Sequence, residues 1–188
     1  MGRTGSQSDP GGLAFAETAL AHLDALYRYA VSLTHNPAEA EDLVQECYLR
    51  ACRSCAQLAP DSNVKSWMFT ILRNAWINQL RHKRSGPQFM KTESDSDLGP
   101  ALEVTGGEDP YAVYVHRLER DAVRQAVNQL PQPYREVIVL REFEDLSYQE
   151  ISEILLLPPG TVMSRLGRAR DKLRLALSQW GRASAALN

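Results

Sequence analysis

The sequence predicts an all-α protein: two small helical domains joined by a flexible acidic linker. Three observations predict it. On both sides of the middle, apolar residues recur every three or four positions, the spacing of one helix face, and no segment alternates as a half-buried strand would. Residues 85–110 have no period and are rich in Gly, Ser, Asp, Glu, Thr and Pro, a composition that stays extended and solvated. Helix punctuation falls at Asn36-Pro37, at Pro131-Gln132-Pro133 and at Ser147.

Charge follows the same division. The 188 residues carry a formal net charge of −2, an unpromising value for a nucleic-acid partner. Its distribution matters more. Residues 15–84 hold eight basic and seven acidic residues, residues 85–110 one lysine and six acids, and residues 111–182 eleven basic and nine acidic. The negative charge therefore sits in the linker, between two mildly positive pieces. No apolar run is long enough to span a membrane. The opening MGRTGSQSDPGG lacks the apolar core of a signal peptide. Residues 1–14 are expected as a disordered tail, residues 181–188 as a second tail, and the protein as cytoplasmic.

In the first domain, residues 15–84, a helix is expected over Phe15–Leu33 with Leu20, Leu23, Leu26, Tyr27, Ala30 and Leu33 on one face. Asn36 is a good cap for the next helix, Pro37 suits its first position, and Glu39 is placed to reach back. That helix runs to about Cys55, burying Ala40, Leu43, Val44, Cys47 and Ala51. Its other face shows Glu41, Asp42, Gln45, Glu46 and Leu49, which reads either as a solvated face or as an acidic docking surface with one exposed leucine. Leu58–Lys65 is turn chemistry. A third helix follows over Ser66–Arg84. It opens on Trp67 and Phe69 and ends in Arg81, His82, Lys83 and Arg84. Aromatics beside Asn and Arg suit stacked bases and phosphates. They also suit an aromatic core with cations at a helix C-terminus, the better reading for Trp67 and Phe69 alone.

In the second domain, residues 111–180, helices are expected over Tyr111–Leu130 and Tyr134–Phe143. Ser147-x-x-Glu150 is a capping box that starts a helix with Ile151, Ile154 and Leu155 on one face. Pro158-Pro159-Gly160 is expected to end it and turn the chain. Val162, Leu166, Ala169 and Leu173 then form an apolar stripe, opposite Thr161, Ser164, Arg165, Arg168 and Lys172. A short helix, a turn and a basic helix is the layout of a helix-turn-helix. On that layout alone, DNA binding and a solvated surface hairpin stand level. Five basic residues against one acid between Thr161 and Arg174 favour a phosphate partner.

Cys47, Cys52 and Cys55 are the only cysteines, all within one expected helix. Three is no disulfide framework. Cys52-x-x-Cys55 with His22, His35 or His82 is compatible with zinc or redox chemistry. No second ligand pair stands at metal spacing, which favours core residues or an exposed thiol.

Two stretches together resemble a known family. Residues 40–53 (AEDLVQECYLRACR) and 64–84 (VKSWMFTILRNAWINQLRHKR) resemble region two of bacterial sigma factors. Residues 130–170, from LPQPYREV to SRLGRAR, resemble region four. The order and the short linker are similar to the extracytoplasmic-function, or group four, sigma factors of the sigma-70 family. The resemblance implies a protein with no catalytic site, cofactor, metal or small-molecule substrate. Its implied partners are core RNA polymerase, through the clamp helices and flap of the two large subunits, promoter DNA, and an anti-sigma factor. Polymerase docking would fall on Glu41, Asp42, Gln45, Glu46 and Leu49. Capture of a flipped minus-ten base and melting would fall on Asn63, Lys65, Ser66, Trp67, Arg73, Asn74 and Asn78, with Arg81, Lys83 and Arg84 on phosphates. Minus-35 recognition would fall on Thr161, Ser164, Arg165 and Arg168, with Arg170 and Lys172 on the backbone. Three positions depart from the family pattern around the second helix pair: Leu156 where Gly is usual, Pro159 where Val is frequent, Met163 where Lys is usual. Cys52 stands where the family often has a large aromatic.

Two rivals stay open on sequence. One is a helix-turn-helix regulator binding operators as a dimer. The other is a zinc-dependent enzyme, which rests only on the cysteines.

Overall fold

The computed structural model describes the backbone of residues 10–59, 62–85 and 110–185. The expected linker, apart from its end residues Ser85 and Pro110, lies outside the described residues, as do Pro60, Asp61 and residues 1–9 of the expected tail. Every regular element among the described residues is helical: α1 (Pro10–Leu20), α2 (Leu23–Thr34), α3 (Pro37–Ser54), α4 (Val64–Ser85), α5 (Pro110–Asn128), α6 (Gln132–Ile138), α7 (Tyr148–Leu155) and α8 (Pro159–Ala185). A 3₁₀ turn at Cys55–Gln57 follows α3, and a π turn at Val139–Phe143 follows α6. The chain forms two compact units, one holding α1 to α4 and the other α5, α6, α8 and the greater part of α7.

In the first unit, α3 packs on both α2 and α4. Leu26, Tyr29, Leu43, Cys47, Phe69 and Leu72 are buried in its core. The Tyr29 and Phe69 rings lie 5.3 Å apart. All five residues expected on the inner face of α3 are buried. Asn36 caps this helix as expected: its side-chain oxygen accepts from the Ala38 and Glu39 amides at 2.9 and 3.2 Å. Glu39 does not reach back. The Asn36 amide donates to Thr34 Oγ1 at 3.3 Å, and the Glu39 carboxylate pairs with Lys83 Nζ at 2.9 Å.

The single helix expected over Phe15–Leu33 is two helices, and the first begins at Pro10, inside the expected tail. The break has an identifiable cause. In an unbroken helix the Ala19 carbonyl would receive the Leu23 amide. Here it accepts from the His22 amide at 3.0 Å and from the Tyr48 hydroxyl, reaching over from α3, at 2.7 Å. A side chain entering the ladder bends a helix. Burial holds the Tyr48 phenol protonated, its pKa raised to about 12.

In the second unit, α8 packs on α5 and α6. Val137, Ile138, Leu140, Val162, Leu166 and Ala169 are buried. α6 starts before the expected Tyr134, because the Pro131 carbonyl accepts from the Tyr134 and Arg135 amides at 2.9 and 3.1 Å. Arg135 is buried and donates through Nη1 to the Asn128 and Leu130 carbonyls at 2.7 and 3.1 Å, satisfying the end of α5. Burial lowers its pKa, opposed by the neighbouring Glu136.

The capping box forms in full. Glu150 Oε2 accepts from the Ser147 amide at 2.7 Å, and Ser147 Oγ accepts from the Glu150 amide at 3.2 Å. The turn that follows differs from expectation. Leu156, not Pro158-Pro159-Gly160, ends α7, in the left-handed region at φ 52°. The Leu157 amide returns to the Ser152 carbonyl at 3.0 Å, the six-to-one bond of a Schellman motif. The Pro158 carbonyl accepts from Thr161 and Val162 at 2.8 and 3.2 Å, so Pro159 and Gly160 belong to the first turn of α8.

Candidate functional site

The outer face of α8 is built by period alone. Val162, Leu166 and Ala169 point inward, which turns Thr161, Ser164, Arg165, Arg168 and Lys172 outward. Ser164 and Arg168 are exposed, Thr161 and Arg165 half-buried. Ser164 Oγ donates to the Thr161 carbonyl at 3.0 Å. Arg165 and Arg168 make no ion pair or side-chain hydrogen bond among the described residues. The other two expected contacts are engaged within the fold. Arg170 donates twice to Glu142 Oε1, at 3.0 and 2.6 Å, and that carboxylate raises its pKa. Lys172 Nζ lies 5.8 Å over the Tyr134 ring.

α4 carries the second group. Asn63 caps it, with its side chain accepting from the Ser66 amide at 3.2 Å. Along the helix, Asn63, Trp67, Asn74, Asn78 and Arg81 follow the three-and-four spacing of one stripe, with Arg73 at its margin. Asn74 and Arg81 are exposed; Arg73 and Asn78 are half-buried. Trp67 is half-buried, edge-on to Phe15 with centroids 5.9 Å apart. Ser66 is buried. Lys65 and Lys83 lie off the stripe, and Lys83 holds Glu39 of α3. The Arg84 side chain lies outside the described residues.

The third group is the outer face of α3. Glu41, Asp42, Gln45 and Leu49 are exposed, and Leu49 leaves 55% of its surface to solvent. Glu46 is half-buried and pairs with Arg50 at 2.6 Å. Cys47 is buried, whereas Cys52 is exposed and Cys55 partly so.

Residues 19–86 match the family Sigma-70 region 2, and residues 120–173 match Sigma-70 region 4. The chain belongs to the sigma-70 family, in its extracytoplasmic-function branch. The ECF RNA polymerase sigma factor EcfG of Rhodopseudomonas palustris (strain TIE-1) is 34% identical over 158 residues, covering 84% of this chain and 82% of that one. The ECF RNA polymerase sigma factor SigW of Bacillus subtilis (strain 168) is 31% identical over 167 residues, covering 87% and 89%. Among solved structures, the sigma factor RpoE bound to the anti-sigma factor NepR from Bartonella quintana superposes with a TM-score of 0.66 at 32% identity, covering 88% of this chain and 97% of that one.

Three features of this sigma factor escaped the sequence reading. Glu142, Tyr134 and Glu39 hold Arg170, Lys172 and Lys83, and each pairing joins separate helices, where no local period reports it. The π turn leaves Phe143 48% exposed beside Glu142. A signal for Leu156 was present: a position that favours Gly is a position that needs positive φ. No helix among the described residues is long and apolar enough to cross a membrane.

Proposed function

We propose that this sigma factor seats on core RNA polymerase through the outer face of α3 and reads two promoter segments, one with α4 and one with α8. Asp42, Gln45 and Leu49 form the centre of the polymerase contact, with Glu41 and Glu46 flanking it. On α4, Asn63, Trp67, Arg73, Asn74 and Asn78 line the capture of a flipped minus-ten base. Lys65 and Ser66 flank it, and Arg81, Lys83 and Arg84 meet phosphates. Base extraction costs a few kcal/mol, which stacking and polar contacts must recover. On α8, Thr161, Ser164, Arg165 and Arg168 face the minus-35 major groove. Lys172 reaches the backbone at its edge, and Arg170 serves mainly to hold the helix.

The observation that carries this reading is the state of Arg165 and Arg168. Two adjacent guanidiniums on one helix face have no partner among the described residues, and their fork geometry matches guanine edges and phosphates. The protein acts in the cytoplasm, where it joins polymerase. An anti-sigma protein covers its faces when it is held inactive, by analogy with RpoE bound to NepR and with CnrH bound to the cytosolic domain of CnrY, a neighbour at TM-score 0.61 and 26% identity.

Reconstitution tests it. The purified chain should join core polymerase and fix where transcription starts on a promoter mapped from its own induction. Asp42→Arg should lower polymerase association with unchanged helix content. Failure to join polymerase, with tight binding of a palindromic operator by the chain alone, would replace this reading with the dimeric regulator.

A further inference from the structure

The Cys52-x-x-Cys55 pair takes no part in the contacts above, yet it sits beside them. Cys52 stands three residues beyond Leu49 on the outer part of α3. Cys55 opens the 3₁₀ turn that follows α3, eight residues before Asn63, the cap of α4. The Cys55 thiol is turned back over its own turn and donates to the Cys52 carbonyl at 3.2 Å. Helical spacing places two α-carbons three residues apart at about 5 Å, within the span a disulfide bridges. Cys52 is exposed and Cys55 partly so, which opens both to a small reagent. Among the described residues, no group of three His, Cys, Asp or Glu side chains is placed to hold a metal. Cys47 is the internal contrast. It is buried, donates to the Met68 carbonyl at 3.4 Å, and burial pushes its thiol up to about 12. The chain thus has one inert thiol and two reachable ones that are neighbours.

We propose that Cys52 and Cys55 form a dithiol modification site that exchanges with low-molecular-weight disulfides, and that its oxidised form docks poorly on polymerase. The second half rests on the docking face proposed above. In the first step the Cys52 thiolate attacks one sulfur of the small disulfide. A mixed disulfide forms, and one small thiol leaves with the proton that Cys52 gave up. In the second step the Cys55 thiolate attacks the Cys52 sulfur. The internal disulfide forms and the second small thiol leaves. Two protein thiols are oxidised and one external disulfide is reduced to two thiols. Docking suffers because the bridge ties the last turn of α3 to the 3₁₀ turn, one helical turn from Leu49.

The test uses the full chain and oxidised glutathione. Remaining thiols are alkylated, disulfides are mapped by mass spectrometry, and core-polymerase affinity is measured before and after. A Cys52–Cys55 bridge should form without retained glutathione. Affinity should fall by about tenfold, equivalent to about 1.4 kcal/mol, and return with dithiothreitol. Cys47→Ser should behave as the parent. Cys55→Ser should keep glutathione on Cys52, since no second thiol displaces it. A parent chain that retains glutathione on Cys52, or that forms bridges between copies, overturns the dithiol site. Equal affinity of oxidised and reduced chains overturns the effect on docking. If the reduced chain fails to bind polymerase, the proposed function falls and the docking effect with it, while the disulfide map still decides the thiol chemistry.

Discussion

α4 and α8 both carry rows of basic residues, and each ties at least one of them to an acid of another element. On α4 one tied cation is Lys83, which crosses to Glu39 of α3. On α8 it is Arg170, which crosses to Glu142 in the π turn. Both carry the same charge as Arg165 and Arg168, which have no partner among the described residues. They differ in angle: at 100° per residue, Arg170 lies about half a turn from Thr161, and Lys83 about half a turn from the line through Asn63 and Arg81. The helices diverge in where the tie falls. Lys83 sits near the end of α4 and anchors an end. Arg170 sits between Arg168 and Lys172, so its tie lies within the stretch that carries Arg165 and Arg168. Charge type nominates a contact, and the partners a side chain meets in the fold decide which cations are left over: on α8, Arg170 meets Glu142 while Arg165 and Arg168 meet no partner among the described residues.

The largest expected effect tests the available side of that contrast. On the proposed reading, Arg165→Ala and Arg168→Ala each remove a DNA contact worth about 1–3 kcal/mol. The double variant should lose minus-35-dependent transcription by about two orders of magnitude or more, while its affinity for core polymerase in a binding assay stays at the parental value. Loss of polymerase binding instead would place these arginines on the wrong interface. Next in size is the fully committed cation. Arg135→Met strands the Asn128 and Leu130 carbonyls without their donor. It should cost about 1–3 kcal/mol in urea unfolding. An unchanged midpoint would show that water replaces the guanidinium there.

Elements set by local chemistry were legible in advance. The inner face of α3, the Asn36 cap and the Ser147–Glu150 box all follow from residues within one or two turns of each other. What escaped depends on long-range partners. Tyr48 breaks the α1–α2 helix from twenty-nine residues away, and Glu39 forgoes its local reach-back for Lys83. For the candidate site, Thr161, Ser164, Arg165 and Arg168 needed only the period of α8, whereas the commitment of Arg170 needed Glu142, twenty-eight residues upstream. Leu156 lies between these cases. Its left-handed backbone costs about 1–2 kcal/mol for a residue with a Cβ, and with 77% of its surface exposed the side chain gains little in return. Leu156→Gly relieves that strain but frees the unfolded chain, which takes back part of the gain. The net should be about 0.5–1 kcal/mol of added stability in thermal or urea unfolding. A loss of stability would mean that the exposed leucine has a packing role.

The smallest expected effect divides the two tied cations. Arg170→Ala removes an ion pair whose side chains are nearly half exposed, at 46% and 43%. Lys83→Ala removes one exposed to a similar degree, at 43% and 35%. Solvent screening leaves each worth about 0.2–0.5 kcal/mol, so unfolding should scarcely move for either. Promoter selectivity separates them. If the Arg170 tie sets the rotation of α8, its loss should narrow the difference in transcription between a matched and a mismatched minus-35 element. Lys83→Ala should leave that difference intact. Glu142→Ala should reproduce the Arg170→Ala phenotype, because either partner breaks the tie. Should Arg170→Ala instead weaken all promoters equally, Glu142→Ala leave transcription unchanged, and the salt dependence of DNA binding lose about one phosphate's worth of slope, then Arg170 exchanges Glu142 for DNA on the promoter, and its partner in the free protein is only a resting place.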